Sequence, residues 1–427
     1  MDSELSSTPS TSAVRGASSM FRAQVLPLLR SPALGATVLL ICGGIGSAAA
    51  SLLLARVMER AEFGALTLVL ALTQLTLSLG PLGLETLINR HRLDADPLLL
   101  ARAVATSSAV AAALAAAAVH FYGVGVALSV PLAVAAAGAS LSRIGGAFLQ
   151  SRGRLKASLM LLQVHNYVLL GAVPLLLLLG RDDALPVAVL VAAAYVATSI
   201  FGWAAATRLP RRSSVGLSAR ALLKEGLAAA GVGLAAQVLW QLERLVIPRT
   251  LSVEDLATFA VLASVAGAPF RMLQTGIVYT LLPGLRACKE KTAVKRLLYR
   301  EGAAVFAAAS AAALLVLLLT PWIMTHVLTS RYYFPRSLLG AVVGVGLVKV
   351  WNGFVAAIVP ALGTARHLAL FNTASWFAVC LGVAGAFAGS RFGLTGVVCG
   401  VGASWLALAA VGTALSLKAV RGFRPLL

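Results

Sequence analysis

The most constraining feature of this chain is a repeated pattern of apolar runs of about twenty residues, separated by short charged segments. A run of that length crosses the roughly 30 Å hydrocarbon core of a bilayer as one α-helix. Only 12% of the residues are charged, whereas a soluble domain carries about 25%. The sequence therefore predicts an all-α, polytopic membrane protein.

Twelve apolar segments fit membrane-spanning helices, and we expect them to form two pseudo-symmetric bundles of six. The segments are 33–57, 64–88, 98–119, 124–150, 157–180, 184–206, 222–247, 255–285, 298–325, 335–360, 366–389 and 393–418. The predicted domains are a disordered cytoplasmic tail (1–22), an N-terminal bundle (23–207), a cytoplasmic linker (208–221) and a C-terminal bundle (222–427). A short repeat supports the two halves, since 56–62 resembles 249–255, although a chance match is the alternative.

The basic residues are unevenly distributed between the two sides of the predicted bundle. Of the 35 Lys and Arg, 24 fall in segments on the side of the termini, 7 on the other side and 4 within helices. This bias follows the positive-inside rule and predicts that both termini are cytoplasmic. It also explains most of the net charge of +20 without a nucleic-acid partner, and none is expected. The four cysteines form no CxxC pair, so we predict no metal site and no cofactor.

Two of the helix-embedded cations lie near mid-membrane, Arg271 in APFRMLQTGIVYT and Lys349 in GAVVGVGLVKVWNGF. A charged side chain there costs about 2.5–3.5 kcal/mol on insertion scales. Such a residue is usually kept because it faces water or a negative partner. Pro269, two residues before Arg271, predicts a kink at the same depth.

Polar residues recur beside these cations at helical spacing, which indicates polar faces directed into the bundle. We therefore hypothesise that a hydrated, cationic path runs through the C-terminal half. The alternative is that these polar residues form hydrogen bonds between helices, or that Glu243 pairs with one of the cations. The predicted substrate-binding residues are Arg271, Lys349, Arg244, Gln241, Gln274 and Asn352.

Three further residues are candidates for a gate or for ion coupling in the N-terminal half: Glu85, Arg143 and His165. Glu85 and Arg143 lie toward the same ends of their helices, so a structural ion pair is the preferred interpretation. His165 titrates near neutral pH in isolation, which suits proton coupling. A lone histidine on a membrane helix is more often just hydrogen-bonded.

One stretch, 52–90, contains a recognisable set of residues: Arg56, Glu62, Phe63, Gly64, Gly83 and Leu84, with Met58 at a position usually occupied by leucine. The set resembles the first hairpin of the Wzx-like O-antigen and exopolysaccharide flippases of the multidrug/oligosaccharidyl-lipid/polysaccharide exporter superfamily. The segments 147–159 and 242–265 are similar to further parts of that family, with Glu243-Arg244 where an Asp-Arg pair is common.

The resemblance implies a V-shaped bundle of twelve helices in the bacterial inner membrane. Such a protein flips a polyprenyl-diphosphate-linked oligosaccharide to the outer leaflet by alternating access, for O-antigen (lipopolysaccharide), capsule or exopolysaccharide synthesis. The implied partners are the lipid-linked oligosaccharide diphosphate, membrane lipids, and the polysaccharide polymerase and chain-length machinery. No catalytic residue is implied, and we do not expect an enzyme.

Two other functions fit a membrane protein of this kind. A cation-coupled exporter of small or multidrug compounds favours buried carboxylates, whereas the mid-membrane charges here are Arg and Lys. A membrane-bound polysaccharide polymerase or ligase needs a sizeable outer loop or outward-facing catalytic carboxylates, and the outer loops of this chain are short. The balance of charge favours an anionic substrate.

Overall fold

The computed structural model describes residues 32–209, 219–288, 290–328 and 331–422, so the predicted tail (1–22) and most of the predicted linker (208–221) lie outside the described residues. Fourteen α-helices occupy the described ranges. They are α1 (Pro32–Val57), α2 (Arg60–Leu79), α3 (Leu84–His91), α4 (Pro97–Tyr122), α5 (Val126–Ser151), α6 (Leu155–Leu179), α7 (Leu185–Thr207), α8 (Ala219–Thr250), α9 (Val253–Leu262), α10 (Ala268–Ala287), α11 (Lys291–His326), α12 (Arg336–Leu362), α13 (Ala365–Gly389) and α14 (Gly393–Arg421).

The regular elements of the described ranges are all helical, which confirms the predicted fold class. Nine segments there are long and apolar enough to cross a membrane, judged by length and composition. One of these, Ala365–Arg421, contains both α13 and α14, and Ile41–Val57 of α1 is a shorter apolar helix. When Ala365–Arg421 is counted as two passes and α1 and α8 are added, the helices agree with about twelve membrane passes.

The second predicted span, 64–88, is broken into α2 and α3 rather than forming one continuous helix. Pro81 lies in the break, and Leu82 (φ 47°) and Gly83 (φ 78°) adopt left-handed backbone conformations there. A side chain on Gly83 would place its Cβ 2.0 Å from the carbonyl oxygen of Gly226 in α8. Glycine therefore permits both the turn and the close approach of α3 to α8.

The eighth predicted span is also divided, by a π-helical turn at Ala263–Gly267 between α9 and α10. Pro269 follows within the first turn of α10. Proline cannot donate the hydrogen bond of a continuous helix and its ring collides with the preceding turn, and a π-helical turn accommodates both effects. The irregular turn lies directly before Arg271 and contributes to the candidate site described below.

The helices pack as two sets, since the most extensive contacts lie within α1–α7 or within α8–α14. Examples are α1 against α6, α5 against α7, α12 against α14 and α13 against α14. The last pair approaches closely, because a Cβ on Gly389 would lie 2.1 Å from the carbonyl oxygen of Gly396. Small residues allow membrane helices to pack at this distance.

We call the side of the bundle on which α1 begins and α14 ends the terminal side. On the opposite side the two sets are joined by hydrogen bonds. Arg60 donates to the hydroxyl of Thr258 at 3.0 Å, and the hydroxyl of Tyr332 donates to the carbonyl of Ala55 at 3.1 Å. Burial raises the pKa of Tyr332, so its hydroxyl keeps the proton that this contact requires.

On the terminal side, beside the close approach of Gly83 to Gly226, the sets are joined by contacts to the carboxylate of Glu225 in α8. Its Oε1 accepts a hydrogen bond from Arg90 at 2.7 Å and lies 3.1 Å from Nε2 of His91. Arg90 is 70% exposed and Glu225 31% exposed, so this contact faces solvent. The two sets therefore touch on both sides of the bundle in this conformation.

Candidate functional site

A small cavity lies within the second set of helices, between α8, α9 with its π-helical turn, α10 and α12. Its volume is about 50 Å³, which is room for a few water molecules. Aliphatic side chains, Phe259 and Phe270 form the apolar part of its lining. The aromatic and charged part consists of Trp240, Glu243, Arg244, Arg271 and Lys349.

Lys349 is held by two kinds of contact. Its Nζ donates to Oε1 of Glu243 at 2.6 Å, with the two side chains 13% and 4% exposed. The same ammonium lies 5.2 Å from the ring centroids of both Trp240 and Trp405. The negative faces of indole rings attract a cation at this distance. Lys349 was predicted to be a mid-membrane cation, and in this conformation a carboxylate neutralises it.

Arg271 occupies a different environment in the same cavity. Its guanidinium carbon lies 5.8 Å from the ring centroid of Trp240. The residue is exposed to water-sized molecules, as expected for a group that lines a cavity. Within the described ranges, no side chain forms an ion pair or a hydrogen bond with its guanidinium. Arg271 therefore has donors available for a ligand.

Arg244 is the third cation, and it donates to the amide oxygen of Gln241 at 3.0 Å. Arg244 and Arg271 repel one another, and both are attracted by Glu243. Arginine stays protonated in proteins. With Lys349 charged and Glu243 ionised, the cavity wall has three positive charges and one negative charge, which makes it a favourable place for an anion.

Gln274 and Asn352 are outside this cavity wall, although the sequence grouped them with Arg271 and Lys349. Gln274 follows Arg271 by three residues, Asn352 follows Lys349 by three, and both side chains are buried. Oε1 of Gln274 and Oδ1 of Asn352 have no hydrogen-bond partner among the described residues. The two helices are tightly packed here, because a Cβ on Gly353 would lie 2.4 Å from Cγ of Gln274. Their role in binding stays a prediction.

Glu85 and Arg143 form an ion pair between α3 and α5, with 3.5 Å between Oε1 and Nε. The side chains are 16% and 37% exposed. This is the structural pair that the sequence favoured over a gate. Neither residue lines the cavity.

His165 in α6 is buried in the first set of helices, away from the cavity. Its Nε2 lies 3.3 Å from Nε2 of Gln74, and its ring stacks on Tyr195 with the centroids 5.0 Å apart. The Nδ1 atom has no partner among the described residues. These contacts describe a packed, hydrogen-bonded histidine, and its part in ion coupling stays untested.

Sequence reasoning missed the aromatic members of the site. Trp240 lies three residues before Glu243, so helical spacing offered a signal that placed both on one face. Trp405 comes from α14, 165 positions after Trp240 in the chain, and no pattern linked the two. Glu243 was considered only as the alternative partner of a cation, and it is the partner of Lys349.

Comparison with a model of the polysaccharide biosynthesis protein family gives a match over residues 53–334, well over half of the chain. The chain belongs to this family. The match covers the end of α1, helices α2–α7 and helices α8–α11, and it includes Glu243, Arg244 and Arg271 but not Lys349. No curated protein matches the sequence.

Several solved structures share the fold. The lipid II flippase MurJ in an inward closed conformation is 10% identical, with a TM-score of 0.68 over 91% of this chain and 88% of that one. An inward-facing multidrug resistance MATE family transporter of the MOP superfamily is 14% identical, with a TM-score of 0.64 over 89% and 94%. An outward-facing MATE transporter is also 14% identical, with a TM-score of 0.61 over 92% and 97%. The protein is thus a multi-pass membrane protein with the fold of transporters and flippases.

Proposed function

We propose that the protein flips a polyprenyl-diphosphate-linked oligosaccharide across the bacterial inner membrane by alternating access, in the synthesis of a surface polysaccharide. The family match and the flippase fold support a membrane flippase of polysaccharide biosynthesis. The observation that favours this substrate is the cavity wall with three cations and one carboxylate. A diphosphate is the anionic part of such a lipid-linked sugar.

Arg271 is the proposed first contact for the diphosphate, because its guanidinium lines the cavity and has no hydrogen-bond acceptor among the described residues. A guanidinium donates two parallel hydrogen bonds to phosphate oxygens, whereas an ammonium acts as a point charge. Lys349 and Arg244 are proposed to add charge, with Gln241, Gln274 and Asn352 as polar neighbours. The lipid tail stays in the bilayer while the head group passes between the halves.

The two sets of helices correspond to the predicted halves, 23–207 and 222–427, and we assign the halves to these bounds. Alternating access then means that the Arg60–Thr258 contact and the Arg90–Glu225 contact open in turn. We place both termini in the cytoplasm, on the basis of the positive-inside rule. The polysaccharide polymerase and chain-length machinery are the proposed partners after release.

A cation-coupled exporter of small compounds is the second candidate, favoured by the likeness to multidrug MATE transporters in fold. Such an exporter needs a carboxylate that is free to bind a cation. The carboxylate at this cavity, Glu243, is occupied by Lys349 at 2.6 Å. The geometry therefore favours the anionic substrate.

The test is translocation of a fluorescent lipid-linked oligosaccharide in proteoliposomes. We expect Arg271→Ala to lower the initial rate on the order of tenfold or more, since a charge-assisted hydrogen bond contributes about 1.5–3 kcal/mol. Lys349→Ala should also slow translocation. Arg391→Ala is the matched control, because this arginine is exposed in the turn between α13 and α14 and does not line the cavity, and it should stay within about twofold of wild type.

Equal rates for wild type, Arg271→Ala and Lys349→Ala, at equal incorporation into the vesicles, would contradict the cationic path. Efflux of a cationic dye driven by a proton or sodium gradient, with no movement of the lipid-linked sugar, would favour the exporter. Both measurements use the same proteoliposomes.

A further inference from the structure

The carboxylate of Glu243 lies where an anionic ligand of Lys349 would lie. It contacts the ammonium at 2.6 Å while both groups line the cavity. It also attracts Arg271 and Arg244, so all three cations of the wall interact with this one carboxylate. Glu243 thus occupies the electrostatic centre of the cluster.

The size of the cavity is the second observation. A volume of about 50 Å³ accepts a few water molecules and is too small for a diphosphate joined to a sugar. The Glu243–Lys349 contact ties α8 to α12 across this space. A separation of α8 and α12 that enlarges this space breaks the contact.

We propose that Glu243 is a resident counter-anion: it holds Lys349 while the site is empty, and a phosphate group of the substrate takes its place. This inference rests on the proposed function, and it adds a specificity-determining residue to it. The exchange replaces one ion pair with another, so Lys349 is never left unpaired within the membrane. An unpaired buried ammonium is expensive, which makes an exchange more favourable than simple dissociation.

Glu243 also determines the net positive charge of the cavity wall. With the carboxylate ionised, the wall has one negative charge against three positive ones, and without it the wall has three positive charges alone. Weaker binding of the phosphate permits its release on the other side of the membrane. Glu243 is therefore expected to weaken binding and to speed turnover.

The experiment measures binding of farnesyl diphosphate, a short prenyl diphosphate, to the purified full chain by calorimetry. We expect Glu243→Gln to bind this probe on the order of tenfold more tightly than wild type, because a competing negative charge is removed. Glu85→Gln is the matched control, since it removes a carboxylate paired with Arg143 in the other half. It should leave the affinity unchanged.

Translocation of the lipid-linked oligosaccharide gives a second measurement. We expect Glu243→Gln to lower both the half-saturating substrate concentration and the maximal rate, whereas a merely structural defect lowers the rate alone. Glu243→Asp keeps the charge but is one methylene shorter, so its grip on Lys349 is weaker. It should bind the probe about two- to threefold more tightly than wild type, and it serves if the glutamine variant does not fold.

If Glu243→Gln or Glu243→Asp binds the probe no more tightly than wild type does, the resident counter-anion is overturned. The proposed function still stands in that case, provided that wild type binds the probe and translocates the lipid-linked oligosaccharide. Absence of probe binding by every variant and of translocation by wild type overturns both. Tighter binding by the Glu243 variants with an unchanged Glu85→Gln supports the inference. The two failures are thereby distinguished.

Discussion

The charged side chains within and near the membrane are paired differently in the two halves of the protein. In the first set of helices Glu85 pairs with Arg143, and Asp94 pairs with Arg152. In the second set, Glu243 faces three cations around a cavity. Paired charges stabilise contacts between helices, whereas an excess of one sign attracts a ligand of the other. The difference supports the proposal that an anionic substrate engages the C-terminal half.

Reversing the charge of Arg271 should have the largest effect. Arg271→Glu changes the cavity wall from three positive and one negative charge to two of each, which removes its attraction for an anion. We expect translocation of the lipid-linked oligosaccharide to fall on the order of a hundredfold. Arg271→Lys keeps the charge without the planar fork and should retain more activity than the reversal. Translocation by Arg271→Glu above a tenth of the wild-type rate would contradict an excess of positive charge as the basis of binding.

Breaking the Glu85–Arg143 pair should affect stability more than transport. Arg143→Met leaves Glu85 without its partner in a mostly buried position, and we expect a loss of about 1 kcal/mol, measured as a lower thermal unfolding temperature in detergent. Glu85→Gln combined with Arg143→Met should recover most of this loss, because neither group is then charged. Translocation per folded molecule should stay near wild type. A transport defect that the double variant does not relieve would show that charge in the N-terminal half acts on the substrate.

The contact between the halves on the terminal side should be weak. Arg90 and Glu225 are solvent-exposed, and exposed ion pairs contribute about 0.2–1 kcal/mol. Glu225→Gln should therefore raise the fraction of molecules open on this side about twofold. Spin labels on Arg102→Cys and Lys295→Cys, in a chain without its native cysteines, report the distance between the halves.

Glu301→Gln is the matched control for this measurement, because Glu301 pairs with Arg300 inside α11 and does not join the halves. Identical distance distributions for Glu225→Gln and wild type would mean that the Gly83–Gly226 packing, and not the ion pair, holds this side together.

The fold was largely predictable because each apolar run has a length fixed by the bilayer. The left-handed turn between α2 and α3 was not, since it depends on close packing at Gly83. Pro269 predicted a kink before Arg271, but not the π-helical turn that separates α9 from α10. Arg271 and Lys349 were found because a charge in an apolar run is costly.

Sequence reasoning named Glu243 as an alternative partner for a cation, but it could not say which cation the carboxylate contacts. Glu243 and Lys349 are 106 residues apart, and helical periodicity relates only residues of one helix. Trp405 reaches Lys349 from α14, where it reads as one more apolar residue of a membrane span. Which cation is paired and which is free is decided by how α8, α10, α12 and α14 pack, and the sequence pattern of each helix contains no such information.

His165 provides the smallest expected effect and the most direct check that the N-terminal half is structural. Its ring contacts the amide of Gln74 and stacks on Tyr195, and no carboxylate among the described residues pairs with it to stabilise a protonated imidazole. We expect His165→Gln, which retains a hydrogen-bonding group toward Gln74, to leave translocation within about twofold of wild type. The pH dependence of translocation by this variant, measured from about pH 5.5 to 7.5, should also be the same as that of wild type. Loss of that pH dependence in His165→Gln, with Tyr195→Phe unaffected, would instead make His165 a proton-coupling group and would end the division between a structural half and a binding half.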